Sequence, residues 1–135
     1  YLALASLAAV AIIMGPMAYN KSNAPQYVAE ITADDNQLVV SAAFDLKSSK
    51  LSINRTMGAA STGRALELWL IAEGASAPVS LGVMSDAAQA TVIIPEALRS
   101  LMVGGTLAIS DEPLGGSTTG APTGAVLAAG QIILS

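Results

Sequence analysis

The sequence predicts a mainly β protein, an antiparallel β-sandwich of about seven to eight short strands with one short helix, preceded by an N-terminal transmembrane helix. Three observations lead there. Leu2 to Ala18 is apolar apart from Ser6, and no charged residue precedes Lys21. From Tyr27 onward apolar residues recur at a spacing of two, or in short β-branched runs bounded by Gly, Pro, Asn and Asp. Finally, 53% of the residues are hydrophobic and 12% charged, which is too apolar for a disordered chain, while the Gly and Pro punctuation argues against a long helical array. The implied organisation is a transmembrane helix over 1–19, a juxtamembrane linker over 20–26 and a folded domain over 27–135.

At 1.5 Å of rise per residue, the run from Leu2 to Ala18 reaches about 25 Å as a helix, just enough to cross a bilayer. Tyr1 and Tyr19 would then sit near the two interfaces, and Gly15-Pro16 would kink the last turn. The competing reading is a secretory signal peptide ending in the small-x-small pattern Ser22-Asn-Ala24. Pro25 directly after it is a poor start for cleavage, and the apolar run is long for a signal. The chain starts at Tyr1 inside the run, without an initiator Met or basic flank, as expected of a piece of something longer. Asn20 to Gln26, polar and containing Pro25, is the linker.

Tyr27 to Thr32 and Gln37 to Phe44 flank the turn residues Ala33-Asp34-Asp35-Asn36 and form a hairpin. A third strand falls at Lys50 to Asn54, and Met57 to Arg64 is a loop. In Ala65 to Ala72, Leu66, Leu68 and Leu70 share one face while Glu67, Trp69 and Ile71 share the other, which marks a central strand. Pro78 to Val83 and Thr91 to Ile94 are two more strands. Pro95 to Met102 is the one soluble helix, with Pro95 in the first turn, Glu96 near the positive end of the dipole and an apolar stripe of Leu98, Leu101 and Met102. Thr106 to Ser110 and Gln131 to Leu134 complete the strands.

Chemistry is constrained by what the chain lacks. It has no Cys and no His, which removes disulfides, thiolate and imidazole metal sites, and the Ser-His-Asp and Cys-His nucleophile pairs. A net charge of -4 with six basic residues argues against a phosphate-binding face, so nucleic acid is not an expected partner. Asp111 and Glu112 adjoin on a strand and face opposite ways, so they cannot share a metal or proton. Asp34-Asp35 is turn chemistry. Gly115 to Gly124 lacks the Lys of a P-loop and contains Pro122, so it is a surface loop rather than a phosphate cradle. Trp69, the only indole, is assigned to the core. No catalytic, cofactor-binding or metal-ligating residue emerges, and the chain is not read as an enzyme.

Four blocks remain, in this order: Glu67-Leu-Trp-Leu-Ile71, Ser80-Leu-Gly82, Leu107-Ala-Ile-Ser-Asp-Glu-Pro-Leu-Gly-Gly-Ser117 and Pro122-Thr-Gly124. Together they resemble the C-terminal domain of the RskA-like anti-sigma-K factors, from about Tyr27 to the C-terminus, with an apolar run in the expected place before it. Two details depart from the pattern: Ala125 follows Pro-Thr-Gly where the family usually has Pro, and Asp111 stands where it often has an apolar residue. The resemblance implies a single-pass protein of the bacterial cytoplasmic membrane with its C-terminal domain extracytoplasmic. It implies an RNA polymerase sigma factor as partner, bound by a cytoplasmic N-terminal domain, and release of that factor by site-1 and intramembrane proteases under control of the outer domain. No family catalytic residue is carried over.

Gly105-Thr106 permits a sharper reading, since some other cell-surface anti-sigma regulators cut themselves at a Gly-Thr bond. The alternative is that Gly104-Gly105 ends the helix through a left-handed cap before a strand starts. Small residues in Leu2 to Ala18 leave a homo-oligomer open, although no Gly-x-x-x-Gly is present. The rival to the anti-sigma reading is a secreted or membrane-anchored β-sandwich adhesion or ligand-binding module.

Overall fold

The computed structural model describes the backbone of Ile12–Met14 and residues 26–135. Ten strands and one helix follow in order: β1 (Ile12–Met14), β2 (Gln26–Thr32), β3 (Val39–Asp45), β4 (Lys50–Met57), β5 (Arg64–Ile71), β6 (Val79–Val83), β7 (Gln89–Ile93), α1 (Glu96–Met102), β8 (Thr106–Pro113), β9 (Val126–Gln131) and β10 (Ile133–Leu134). All pairings are antiparallel, and the strands run in the order β1-β7-β4-β3-β2-β9-β8-β5-β6, with β10 added to β2.

The two-sheet sandwich expected from the sequence is therefore corrected to one continuous sheet. Alternation predicts that each strand has a buried face, but not where a sheet breaks, and here it does not break. Its inward residues, among them Ile31 on β2, Val40 and Phe44 on β3, Leu51 on β4, Leu68 on β5, Leu81 on β6, Val92 on β7 and Ile109 on β8, join one core cluster. The sheet thus curls round a single interior and is nearly barrel-shaped. Met102 of α1 enters that core, fully buried, while Leu98 packs against it. A seven-residue helix is too short to persist on propensity alone, so this docking holds it.

The local devices follow the sequence chemistry. At the β2–β3 turn, Asp35 Oδ1 accepts the Gln37 N–H at 3.0 Å and Asn36 takes the left-handed conformation at φ 59°. Pro95 sits immediately before α1, with no side chain capping the helix. Gly104 has φ 79°, and the Gly105 N–H returns to the Met102 carbonyl at 3.2 Å. Thr106 then opens β8 between Ile71 and Gln131, so Gly104-Gly105 acts as the turn between helix and strand.

Three strand expectations needed revision: the strand expected over Lys50 to Asn54 runs on to Met57. The segment Gln131 to Leu134 is divided between the end of β9 and β10, and most of β9, Val126–Gln131, was missed because Val-Leu-Ala-Ala-Gly-Gln has little β-branching or alternation. Strand β8 runs on through Asp111, Glu112 and Pro113. The expected transmembrane helix over 1–19 falls outside the described residues except for Ile12–Met14, which are extended and pair with Ala90–Val92. Most of the linker 20–26 also lies outside them, and Gln26 already belongs to β2. Among the described residues no helix is long and apolar enough to cross a membrane.

Ser49, in the β3–β4 turn, has φ 62°, is buried, and its hydroxyl finds no partner among the described residues. Left-handed backbone costs a non-glycine residue about 1–2 kcal/mol, and a buried unsatisfied hydroxyl costs about as much again. Ser49→Gly removes both at some cost in chain entropy, and should stabilise the domain by about 1 kcal/mol. Thermal unfolding should show a higher midpoint; an unchanged or lower one would contradict this account of the turn.

Candidate functional site: two carboxylates that fasten a loop

The outer face of β5 and β8 carries Ala65, Glu67 and Trp69 opposite Glu112, Ser110 and Ala108 respectively. This face lies behind Leu66, Leu68 and Leu70, which point into the main core. All six outer-face residues are nevertheless buried, and Glu112 and Trp69 completely so. Trp69 is thus a buried anchor, as expected, but on the far side of the sheet from the main cluster.

A carboxylate with no exposed surface must be matched by donors, and Glu112 has four. Ser110 Oγ donates to its Oε2 at 2.6 Å, the Thr123 N–H reaches both oxygens at 3.1 and 3.2 Å, the Gly124 N–H reaches Oε2 at 3.3 Å, and the Thr123 hydroxyl bonds Oε1. Burial pulls the Glu112 carboxyl toward a higher pKa, but the bonds from Ser110, Thr123 and Gly124 outweigh it and hold the group below the ordinary glutamate range. Ser110 Oγ also accepts the Trp69 indole N–H at 2.8 Å. A chain of hydrogen bonds therefore runs from Trp69 through Ser110 to Glu112 and into the loop.

Glu67 repeats the device one strand away. Its Oε2 accepts the Ser80 hydroxyl at 2.5 Å, tying β5 to β6, and Oε1 accepts the Ser117 N–H at 2.7 Å. Ser80 Oγ in turn accepts the Gly82 N–H at 3.2 Å. Residues 114–125 are consequently held near both ends, by Glu67 at Ser117 and by Glu112 at Thr123-Gly124. Between them the Ser117 hydroxyl bonds the Ala121 carbonyl, which also takes the Thr119 hydroxyl at 3.0 Å.

Two glycines make the close approach feasible. Gly116 has φ 96°, and a Cβ there would lie 2.7 Å from Val83 Cγ2 and 2.9 Å from Glu67 Oε1. A Cβ on Gly124 would come within 1.8 Å of the Asp111 carbonyl oxygen. The neighbouring acid behaves differently, as alternation predicts. Asp111 faces the other way and pairs with Arg64 Nε at 3.1 Å, partly exposed, a contact worth at most about 1 kcal/mol.

The residue blocks singled out in the sequence converge here in two hydrogen-bonded clusters, Glu67 with Ser80, Gly82 and Ser117, and Glu112 with Ser110, Trp69, Thr123 and Gly124, joined by the loop that runs between them. Consistent with this, the family model for the anti-sigma-K factor RskA C-terminal region matches residues 1–126. The chain belongs to that family. No curated protein and no solved structure matches it. The family match includes both carboxylates and the whole fastened loop, as well as the N-terminal apolar run, and ends where β9 begins.

Chemically, both carboxylates serve as acceptors for donors of their own chain, so the network fastens loop to sheet. In the sequence these blocks read as strands, a buried Trp69 and a surface loop over Gly115 to Gly124, and nothing in that reading marks two of the acids as the acceptors binding the rest. The available signal was the composition of the blocks, in which each Glu shares a motif set with Ser, Thr and Gly residues that supply hydroxyl donors and unobstructed N–H groups.

Glu112→Gln turns one acceptor into a donor facing donors, and should destabilise the domain by about 2–4 kcal/mol. A lowered folded pKa contributes stability that is complete above the unfolded value, near 4.5, and is lost as pH falls through the folded one. The parent domain should therefore weaken as acid is added below about pH 4.5, and Glu112→Gln should flatten that slope. Asp45, also lowered, because backbone bonds from Lys47 and Ser48 and side-chain bonds from Gln26 and Ser48 overcome its desolvation, should leave a residual slope. Denaturant titrations at several pH values, read from the single Trp, test this. Equal slopes in both proteins would contradict the role given to Glu112.

Proposed function

We propose that this chain is the membrane anchor and extracytoplasmic domain of a single-pass anti-sigma factor, and that the domain governs proteolytic release of a sigma factor held on the cytoplasmic side. Membership of the anti-sigma-K factor family supports the general role. The observation that carries the finer reading is the position of β2. This first strand after the linker lies inside the sheet, paired along its length with β3 on one side, and with β9 at Thr32 and β10 at Tyr27 and Val28 on the other.

Proteases bind substrate as extended strand, and a strand already paired on both edges offers them nothing until it opens. The stretch left for a first cut is then the linker preceding Gln26. The apolar run before it supplies the anchor. Pairing of Ile12–Met14 with β7 is a weak competitor, because a three-residue edge strand is marginal against burial of a whole apolar run in hydrocarbon. The domain itself carries out no catalytic step in this scheme.

The rival ligand-binding module has less support. A gap beside Met102 lined by Tyr27, Ala29, Phe44, Leu51, Leu107 and neighbouring apolar residues has no room for even a water-sized molecule, so it is not a small-molecule site.

Purification of the full-length parent protein from native membranes in mild detergent should bring down a sigma factor in stoichiometric amount. Sequencing of cleaved ends from the same membranes should place the first cut within Asn20 to Gln26. Absence of the sigma factor would overturn the anti-sigma role, and a first cut deep among the strands would overturn the control scheme.

A further inference from the structure

The large exposed apolar side chains among the described residues gather at the two ends of the sheet, with Met57, Leu114, Val126 and Leu127 at the end where β4 and β8 finish and β9 starts. Five of the nine, Ile93, Leu101, Val103, Ile133 and Leu134, come from β7, α1, the turn after it and β10. These segments meet at one end of the curled sheet, where β2 starts and β7 and β9 finish. Ile133 and Leu134 lie opposite Val28 and Tyr27. The Ile132 N–H donates to the Gly105 carbonyl at 2.8 Å, which sets Ile132–Leu134 beside the turn carrying Val103. Leu134 is 66% exposed and Ile133 55%, although both belong to a strand.

The same end receives the chain from the apolar run. The Ser135 N–H donates to the Gln26 carbonyl at 2.9 Å, so Gln26 sits within the patch. Seven Cα steps from Tyr19 to Gln26 span at most about 25 Å, which tethers this end of the domain, and not the end carrying Leu114, close to the surface where the run would leave a bilayer. Charged groups here are balanced, with Lys47, Lys50 and Arg99 against Asp45, Glu73 and Glu96, so attraction to anionic headgroups is not the driving force.

We infer that Leu101, Val103, Ile133 and Leu134 form a lipid-contacting surface that seats the domain on the outer leaflet. This rests on the anchoring reading and adds an orientation to it: the helix end faces the bilayer and the fastened loop 114–125 faces away.

The chain has no Cys, so Leu101→Cys, Leu134→Cys and, as control, Leu114→Cys each give a single site for an environment-sensitive fluorophore. The full chain is reconstituted in zwitterionic phosphatidylcholine vesicles, with and without a spin-labelled lipid whose quencher lies near the headgroups. Retention in the vesicle pellet after alkaline washing tests the anchor by itself. Emission at 101 and 134 should shift to the blue and fall by about half with the quenching lipid, while 114 changes little and added salt has little effect. An anchored protein whose 101 and 134 labels respond no more than 114 would overturn the seating while leaving the anchor intact. Labels shielded from both lipid and aqueous quenchers, with a dimer on cross-linking, would overturn it in favour of a second copy. Loss of the chain from the washed pellet would overturn the anchoring reading and the seating with it.

Discussion

A carboxylate stripped of water and given no cation to face must be held by donors placed with care, and Glu112 is the point at which this chain meets that demand. Its four donors come from β8 itself and from a loop eleven and twelve residues further on. The cost of an unmatched buried charge is several kcal/mol, so the sheet and the loop stabilise each other: neither the burial of Glu112 nor the path of residues 114–125 is tenable alone. Glu67 adds a second fastening to the same loop and extends it to β6 through Ser80. Beneath these bonds the face of β5 and β8 that would otherwise meet water is closed, and Trp69 can be buried there with its indole N–H satisfied.

This arrangement gives β5 and β8 two buried faces, one packed on the interior of the curled sheet and one beneath a polar network. The apolar core is built almost wholly from aliphatic side chains plus Phe44 and Met102, which pack densely but do little to choose one arrangement over another. Directional bonds to fixed acceptors supply that choice, since a register slip on β8 by one residue would turn Glu112 into the core and Asp111 into the loop. The tolerance for glycine alone at Gly116 and Gly124 follows from the same closeness.

Much of the fold was legible because strand period is a local property. The hairpin around Asp35-Asn36, the two-faced strand β5 and the short helix after Pro95 all announced themselves through alternation, turn chemistry or an apolar stripe. Closure was not legible, because whether inward faces belong to one curled sheet or two packed ones depends on pairings between distant strands. Strand β9 escaped notice because Ala128, Ala129 and Gly130 carry little side chain from which to read a period; they are small where β9 runs close to its neighbours, Gly130 lying against the Glu30 carbonyl. The polar network was half legible. Opposite orientation of Asp111 and Glu112 followed from alternation, and the motif blocks drew attention to the right residues, but the meeting of Glu67 with Ser117, fifty positions away, is a product of topology.

Strand β10 lies antiparallel to β2 with Ser135 hydrogen-bonded to Gln26, and this geometry sets how the domain answers a mechanical load. A force drawing Gln26 and Ser135 apart would act across the pair rather than along it, opening the bonds one at a time from their shared end. Such peeling needs far less tension than shearing a ladder whose bonds are loaded together. The part of β2 nearest the linker would therefore yield first, while the pairing of Thr32 with Ala129 and the network around Glu112 stayed closed. The fold thus has a compliant end and a stiff end, and the chain passes to the linker through the compliant one.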